Sequence, residues 1–351
     1  MTKLRIGFVG AGGMGQMAHL SNYAVLQNDC EVVALAEPRQ QLAEMVARRY
    51  GVPQVFDNHL ELIKNAKVDA IVASQQYRTH FSIIPDILQA GIPVFTEKPL
   101  ALTVKTGEEL MKIAEENNVL HMVGYHKRSD PAMEWAKALV DEWKQTEEFG
   151  KLRYIRMTMP PGNWVGGADG PLKTDEPYPP IEHESGPSYF TEEQTKHLDQ
   201  FVNYYIHQVN AIRFFLGESY QLTFADRSGV ILTGESENGV TVALEMEPFR
   251  TLHEWHESIL ICFQRGFIRV DLPAPLARQI AGTVTVMRDN GKSEPIYWQP
   301  VMPRMAAMRK QALNFIAAVQ GIRPAPCTSK EAVEDLKLAE NYIRYKAQYQ
   351  N

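Results

Sequence analysis

Leu4-Arg5-Ile6-Gly7-Phe8-Val9-Gly10-Ala11-Gly12-Gly13-Met14-Gly15 reads as an apolar strand running straight into a glycine turn. The spacing is Gly10-x-Gly12-x-x-Gly15. Gly10 permits a tight turn, Gly12 lets the backbone approach a pyrophosphate, and Gly15 lets the next helix pack against the strand. Free N–H groups at that helix start would then face the phosphates. A helix-compatible stretch, Gln16 to Leu26, follows, and then a second strand, Glu31 to Ala36, ending in Glu37. That carboxylate lies roughly 20 residues past the last glycine, where an acid accepts from ribose hydroxyls. The expectation is an NAD site built on Gly10, Gly12, Gly13, Met14, Gly15, Glu37 and Arg39. Glu37 would repel a ribose 2′-phosphate, while Arg39 leaves some tolerance for one.

The chain has 351 residues, enough for two cores, because single cores stop growing near ~250–300 residues. With 44% hydrophobic and 22% charged residues and a net charge of −6, it gives no electrostatic reason to expect nucleic acid or an anionic membrane. Cys30, Cys262 and Cys327 are scattered, with no CxxC pair, and read as reduced intracellular thiols. The first strand begins at once, leaving no room for a signal peptide, and no apolar run reaches the ~18 residues of a membrane span. The expected location is the cytoplasm.

Residues 1–124 alternate strand and helix patterns, which predicts a doubly wound parallel sheet. The strands are Leu4–Val9, Glu31–Ala36, Ala70–Ala73, Ile92–Thr96 and Leu120–Gly124. Helices are expected over Gln40–Tyr50, Phe81–Ala90 and Thr103–Asn118, with Gly51 and Gly91 as stops and Thr103 as a cap. Residues 125–351 form the second predicted domain. It opens with a helix, Asp130–Thr146, and a strand, Leu152–Thr158. A Pro- and Gly-rich loop of 159–193 follows, carrying Trp164, Tyr178, Tyr189 and Phe190. Long loops in compact domains are usually functional lids or disordered, and the aromatics and few like charges here favour an ordered lid or an oligomer contact. One helix is predicted from Gln194 to Leu216. A run of short strands from Leu222 to Trp298, with turns at Asn238-Gly239 and Asn290-Gly291, predicts a mainly antiparallel sheet. Helices Met305–Val319 and Lys330–Gln348 close the chain, the second opened by a capping box over Thr328–Glu331.

Glu97-Lys98-Pro99 closes the fourth strand of the sheet. Ligands bind at strand carboxyl ends in open parallel sheets, so Lys98 is delivered to the reactive end of a cofactor. Tyr125-His126-Lys127-Arg128 follows the next strand and could bind cofactor or substrate oxygens. Within Gln194–Leu216, the residues Gln200, Asn203, His207 and Asn210 share a stripe at three- and four-residue spacing. Small amides with one imidazole suit a half-buried surface that hydrogen-bonds a hydroxylated ligand. His253-Glu254-Trp255-His256-Glu257 is not HExxH, and alternation in a strand would split its two histidines, so no metal is expected. No GxSxG occurs, so a serine-hydrolase mechanism lacks local support.

Taken together, the glycine turn with Glu37, Glu97-Lys98-Pro99, Gly124-Tyr125-His126-Lys127-Arg128 and Asn203…His207 resemble the glucose–fructose oxidoreductase/inositol dehydrogenase/rhizopine-catabolism (Gfo/Idh/MocA) family, over essentially the whole chain. The resemblance implies an N-terminal Rossmann domain and a C-terminal α/β domain on an open antiparallel sheet that pairs subunits into homodimers or homotetramers. It implies catalysis by Lys98 and by an Asp-x-x-x-His pair that falls on Asn203 and His207. Cofactor contacts are implied at Ser74, Gln76, His80, Glu97 and Lys98, and substrate contacts at Lys98, Tyr125, His126, Arg128, Trp164, Asn203 and His207. Asn203 and Asn210 replace two usual aspartates, and Gln76 replaces a common proline. An amide cannot support an imidazolium as a carboxylate does. The implied activity is hydride transfer to NAD from a secondary hydroxyl of a sugar, inositol or related polyol. The alternatives are a glycosidase or epimerase that oxidises a ring hydroxyl transiently, and a catalytically silent dinucleotide-binding regulator.

Overall fold

Alternating apolar runs and amphipathic helices in the first third of the chain close into a parallel sheet. The computed structural model describes residues 3–348. Its first sheet comprises β1 (Leu4–Val9), β2 (Cys30–Ala36), β3 (Gln54–Phe56), β4 (Ala70–Ala73), β5 (Val94–Glu97) and β6 (His121–Gly124), in the order β3-β2-β1-β4-β5-β6. All five pairings are parallel. The order reverses between β1 and β4, the switch point at which doubly wound sheets bind ligands. Ile6, Phe8, Leu35, Val72, Phe95 and Met122 are buried in one core with Phe315.

The second sheet has eight strands: β7 (Leu152–Thr158), β8 (Tyr220–Ala225), β9 (Ile231–Ser236), β10 (Thr241–Glu245), β11 (Ser258–Phe263), β12 (Gly266–Asp271), β13 (Thr283–Arg288) and β14 (Ile296–Trp298). Their order is β14-β13-β12-β11-β7-β10-β9-β8, with one parallel pairing, β7 with β10. Period-two alternation buries Ile155, Met157, Ile259, Ile261, Ile268, Val270, Val284 and Val286 on one face. Tyr154, Leu260, Phe267 and Met287 stand half-exposed on the other. The fold is thus a Rossmann-type parallel sheet plus a mainly antiparallel one.

The two compact units are not contiguous in sequence. The first holds 3–125, 169–203 and 311–336, and the second holds 126–168, 204–310 and 337–348. The division therefore departs from a single boundary after residue 124. Residues 169–193 of the 159–193 loop, and the turn around Thr328, fold with the first sheet. Val123 N donates to Cys327 O at 3.0 Å and Met122 bridges Thr328.

Two predicted helices are revised. Residues Gly15–Leu20 wind as a π-helix, and only Ser21–Tyr23 continue as α-helix. The expected helix Gln194–Leu216 is two helices, Glu192–Tyr204 and Ile206–Leu216, broken at Tyr205, whose hydroxyl donates to Met246 O at 2.7 Å. The stripe from Gln200 to Asn210 is consequently not one surface. Gln200 and Asn203 are exposed, His207 is half-buried and Asn210 is buried. Helix His59–Asn65 and β3 were not among the expected elements. No helix among the described residues is long and apolar enough to cross a membrane.

Candidate active site

The glycine turn of the first unit has the shape its sequence demands. Gly10 adopts φ +94°, which favours glycine, and Ser74 Oγ donates to Gly10 O at 2.9 Å, bracing the turn from the end of β4. A Cβ on Gly15 would lie 2.6 Å from Gly10 O and 2.7 Å from Ser74 Oγ, whereas one on Gly12 would meet nothing within 4 Å. The tight contact and the open space are those a pyrophosphate cradle requires. Gly13 is exposed, and Met14 directly precedes the π-wound turn. Glu37 is buried at the end of β2, where its Oε2 accepts from Ala11 N at 2.8 Å. Arg39 forks onto the same carboxylate at 2.7 and 3.1 Å.

At the end of β5, the Glu97 carboxylate lies 2.6 Å from His19 Nε2. Burial would push this carboxyl up, but His19 and Lys98 outweigh burial and hold it below the usual carboxylate range. His80 is buried with Nδ1 2.9 Å from Leu100 O, and burial lowers its imidazole to about 4, so it is neutral at physiological pH. Gln76 is exposed on the loop after β4. Lys98 Nζ donates to the carbonyl of Asn203 at 2.6 Å. That carbonyl sits one residue before the end of helix Glu192–Tyr204, where helical acceptors are left over. Among the sequence-predicted residues, the first unit thus brings together Lys98, Glu97 and His80 and sets Asn203 on the lysine.

In the second unit, His207 packs edge-on against His126, with ring centroids 4.6 Å apart. The neighbour of this imidazole is a second imidazole. Arg128 is buried, donates to Asn210 Oδ1 at 2.6 Å and lies over the Phe214 ring, so it anchors helix Ile206–Leu216. The Tyr-His-Lys-Arg run is not a surface charge cluster, since Tyr125, His126, Lys127 and Arg128 are all buried. Lys127 reaches the fully buried Glu257 at 2.6 Å, which also accepts from Gln208 at 2.6 Å. Trp164 is 39% exposed. Among the described residues, no cluster of three or more His, Cys, Asp or Glu could hold a metal ion.

Sequence reasoning missed His19 and Glu184, and read Glu257 only as part of the rejected metal motif. Glu184 is buried and accepts from Leu102 N, Thr103 N and Thr103 Oγ1, fixing the loop to the segment after Pro99. No spacing rule links partners that are 80 or more residues apart along the chain, so only the fold could have shown it.

Residues 4–125 match the Gfo/Idh/MocA model, an oxidoreductase family with an NAD-binding Rossmann fold. That segment is similar to the NAD-binding domain of the Gfo/Idh/MocA family. A similar protein, scyllo-inositol 2-dehydrogenase (NAD(+)) of Bacillus subtilis, is 27% identical over 154 residues, 44% of either chain. The alignment therefore spans less than half of that relative. Inositol 2-dehydrogenase of Rhizobium meliloti is 23% identical, covering 97% of this chain and 96% of its own. The structure of UDP-N-acetylglucosamine 3-dehydrogenase from Acidithiobacillus ferrooxidans is alike in fold, with TM-score 0.71 at 18% identity and 99% of each chain covered. Within the matched segment, the end of β5 carries Glu97 and Lys98, and Asn203 offers Lys98 its backbone carbonyl.

Proposed function

We propose that this chain is an NAD-dependent oxidoreductase that takes hydride from a secondary hydroxyl of a sugar, inositol or related polyol. The observation that carries the reading is the placement of Lys98 at the carboxyl end of β5. Its ammonium is directed at Asn203, four residues before His207 in the chain. The glycine turn fits NAD, with Gly12 open to a pyrophosphate and Glu37 at the ribose position. Bound NAD supplies the hydride acceptor. His207 takes the hydroxyl proton as the C–H bond breaks, and Lys98 donates a hydrogen bond to the same oxygen, stabilising its developing charge. Asn203 orients the substrate hydroxyl, and Tyr125, His126, Arg128 and Trp164 belong to the substrate side of the reading.

The open face of the second sheet, with Leu260, Phe267 and Met287 half-exposed and Tyr297 70% exposed, suits a homodimer or homotetramer. Neither nucleic acid nor membrane is a partner in this reading. Three free cysteines fit a cytoplasmic location.

Lys98→Met and His207→Ala are each expected to lower turnover by about 100-fold or more. NAD affinity should be retained, because the glycine turn and Glu37 are untouched. Assays of sugars, inositols and glycosides with saturating NAD should follow both NADH absorbance and product mass. Near-normal turnover in either variant would refute the assignment. Product formed without NADH would favour the redox-neutral glycosidase or epimerase reading. Dinucleotide binding without any turnover would favour the regulator.

A further inference from the structure

Residues 171–178 run against the starts of the two helical segments that follow β1 and β2. Leu172 N donates to Gln16 Oε1 at 2.8 Å, and Gln16 Nε2 donates back to Leu172 O at 3.1 Å and to Ala11 O at 2.8 Å. The Pro171 ring lies 3.9 Å from where a Cβ on Gly13 would sit. Four residues on, Glu176 accepts from Gln41 N at 2.9 Å and Leu42 N at 3.0 Å, the first turn of helix Gln40–Tyr50. Thr174 Oγ1 donates to the same carboxylate at 2.9 Å. Tyr178 then lays its ring under the Arg39 guanidinium, 4.6 Å from its centroid.

In a dinucleotide fold, a phosphate on the adenosine ribose needs positive potential at the end of β2. The sources there are a nearby arginine and the N-terminal amides of the following helix. Both sources exist in this chain, and both are already matched by its own carboxylates. Arg39 is forked by Glu37 and covered by Tyr178, and the helix amides are taken by Glu176.

We propose that Glu176 determines dinucleotide specificity: it occupies the amides a ribose 2′-phosphate would use, and fastens residues 171–178 as a clasp on the adenosine half of NAD. This rests on the NAD reading above. Burial pushes the Glu176 carboxyl up, but the amides, Thr174 and Arg39 outweigh it and hold it below the usual carboxylate range. The carboxylate therefore stays charged, and the clasp stays fastened, across the neutral and mildly acidic range.

The test is equilibrium titration of the full chain with NAD and with NADP, followed by intrinsic fluorescence and calorimetry. Release of NAD is timed by stopped flow. The wild type should prefer NAD by about 100-fold. Glu176→Gln should strengthen NADP binding by about tenfold, the effect of removing one charge at a helix start, and should speed NAD release. NAD affinity itself should change by no more than a few-fold. Thr174→Val leaves the charge but loosens its hold, and should shift the NADP/NAD ratio in the same direction by less. An unchanged ratio and release rate in folded Glu176→Gln would overturn the role of Glu176 while leaving the NAD assignment intact. Wild-type binding of NADP as tight as NAD would instead sink the assignment on which the proposal rests.

Discussion

Asp130 shows how one side chain can serve the fold and cost it at the same time. Its carboxylate caps helix Pro131–Thr146, accepting from Ala132 N at 2.8 Å and from Gly282 N at 3.1 Å. Burial nevertheless raises its carboxyl to about 6, the amides and Lys127 offsetting burial only in part. A raised acid binds its proton more tightly folded than unfolded, so its contribution falls as pH rises from about 4 through about 6. Asp130→Asn keeps an oxygen for the cap and removes this dependence. The variant should gain stability relative to the wild type on going from pH 4.5 to pH 7, read as a shift in urea midpoints. A wild-type-minus-variant difference that is flat with pH would contradict it.

At the scale of elements, the glycine turn separates two uses of a missing side chain. Gly12→Ala adds a methyl group into open space, so melting temperature should hold while NAD affinity falls by about tenfold or more. Gly15→Ala drives a methyl into the Gly10 carbonyl, which cannot swing aside, and should cost about 1–3 kcal/mol of stability as well as binding. Thermal melts beside NAD titrations distinguish them, and equal melting temperatures for the two variants would refute the distinction. The turn was legible in sequence because its glycine spacing is local, although Ser74 braces it from 64 residues away. Gln40–Tyr50 and the Thr103 cap, whose Oγ1 accepts from Thr106 N, were legible for the same local reason. The break at Tyr205 was not legible, because Val202, Ile206, Val209 and Ile212 keep helical spacing across it. β3 is three residues long with two exposed, too short and too polar to leave a period. Among candidate site residues, Glu37 and Lys98 could be read from motif position. The buried state of Arg128, and the His19 partner of Glu97, depend on strands and helices distant in sequence.

Over the whole molecule, the segment that the family model matches does not coincide with a complete core. Phe95 packs 5.8 Å from Phe315, and Met122 pairs with Thr328. Residues 1–125 expressed alone should therefore bind a hydrophobic dye and unfold without a sharp urea transition, while the full chain unfolds cooperatively. A sharp transition in the isolated piece would show that the later residues are dispensable.

The same interleaving has a consequence for synthesis on the ribosome. All six strands of the first sheet emerge before residue 125, yet Phe315 is translated nearly two hundred residues later. At elongation rates of ~5–20 residues per second, the nascent sheet spends roughly 10–40 seconds with Phe95 unsheltered. Until its last helices are made, a growing chain of this design carries an apolar face open to aggregation.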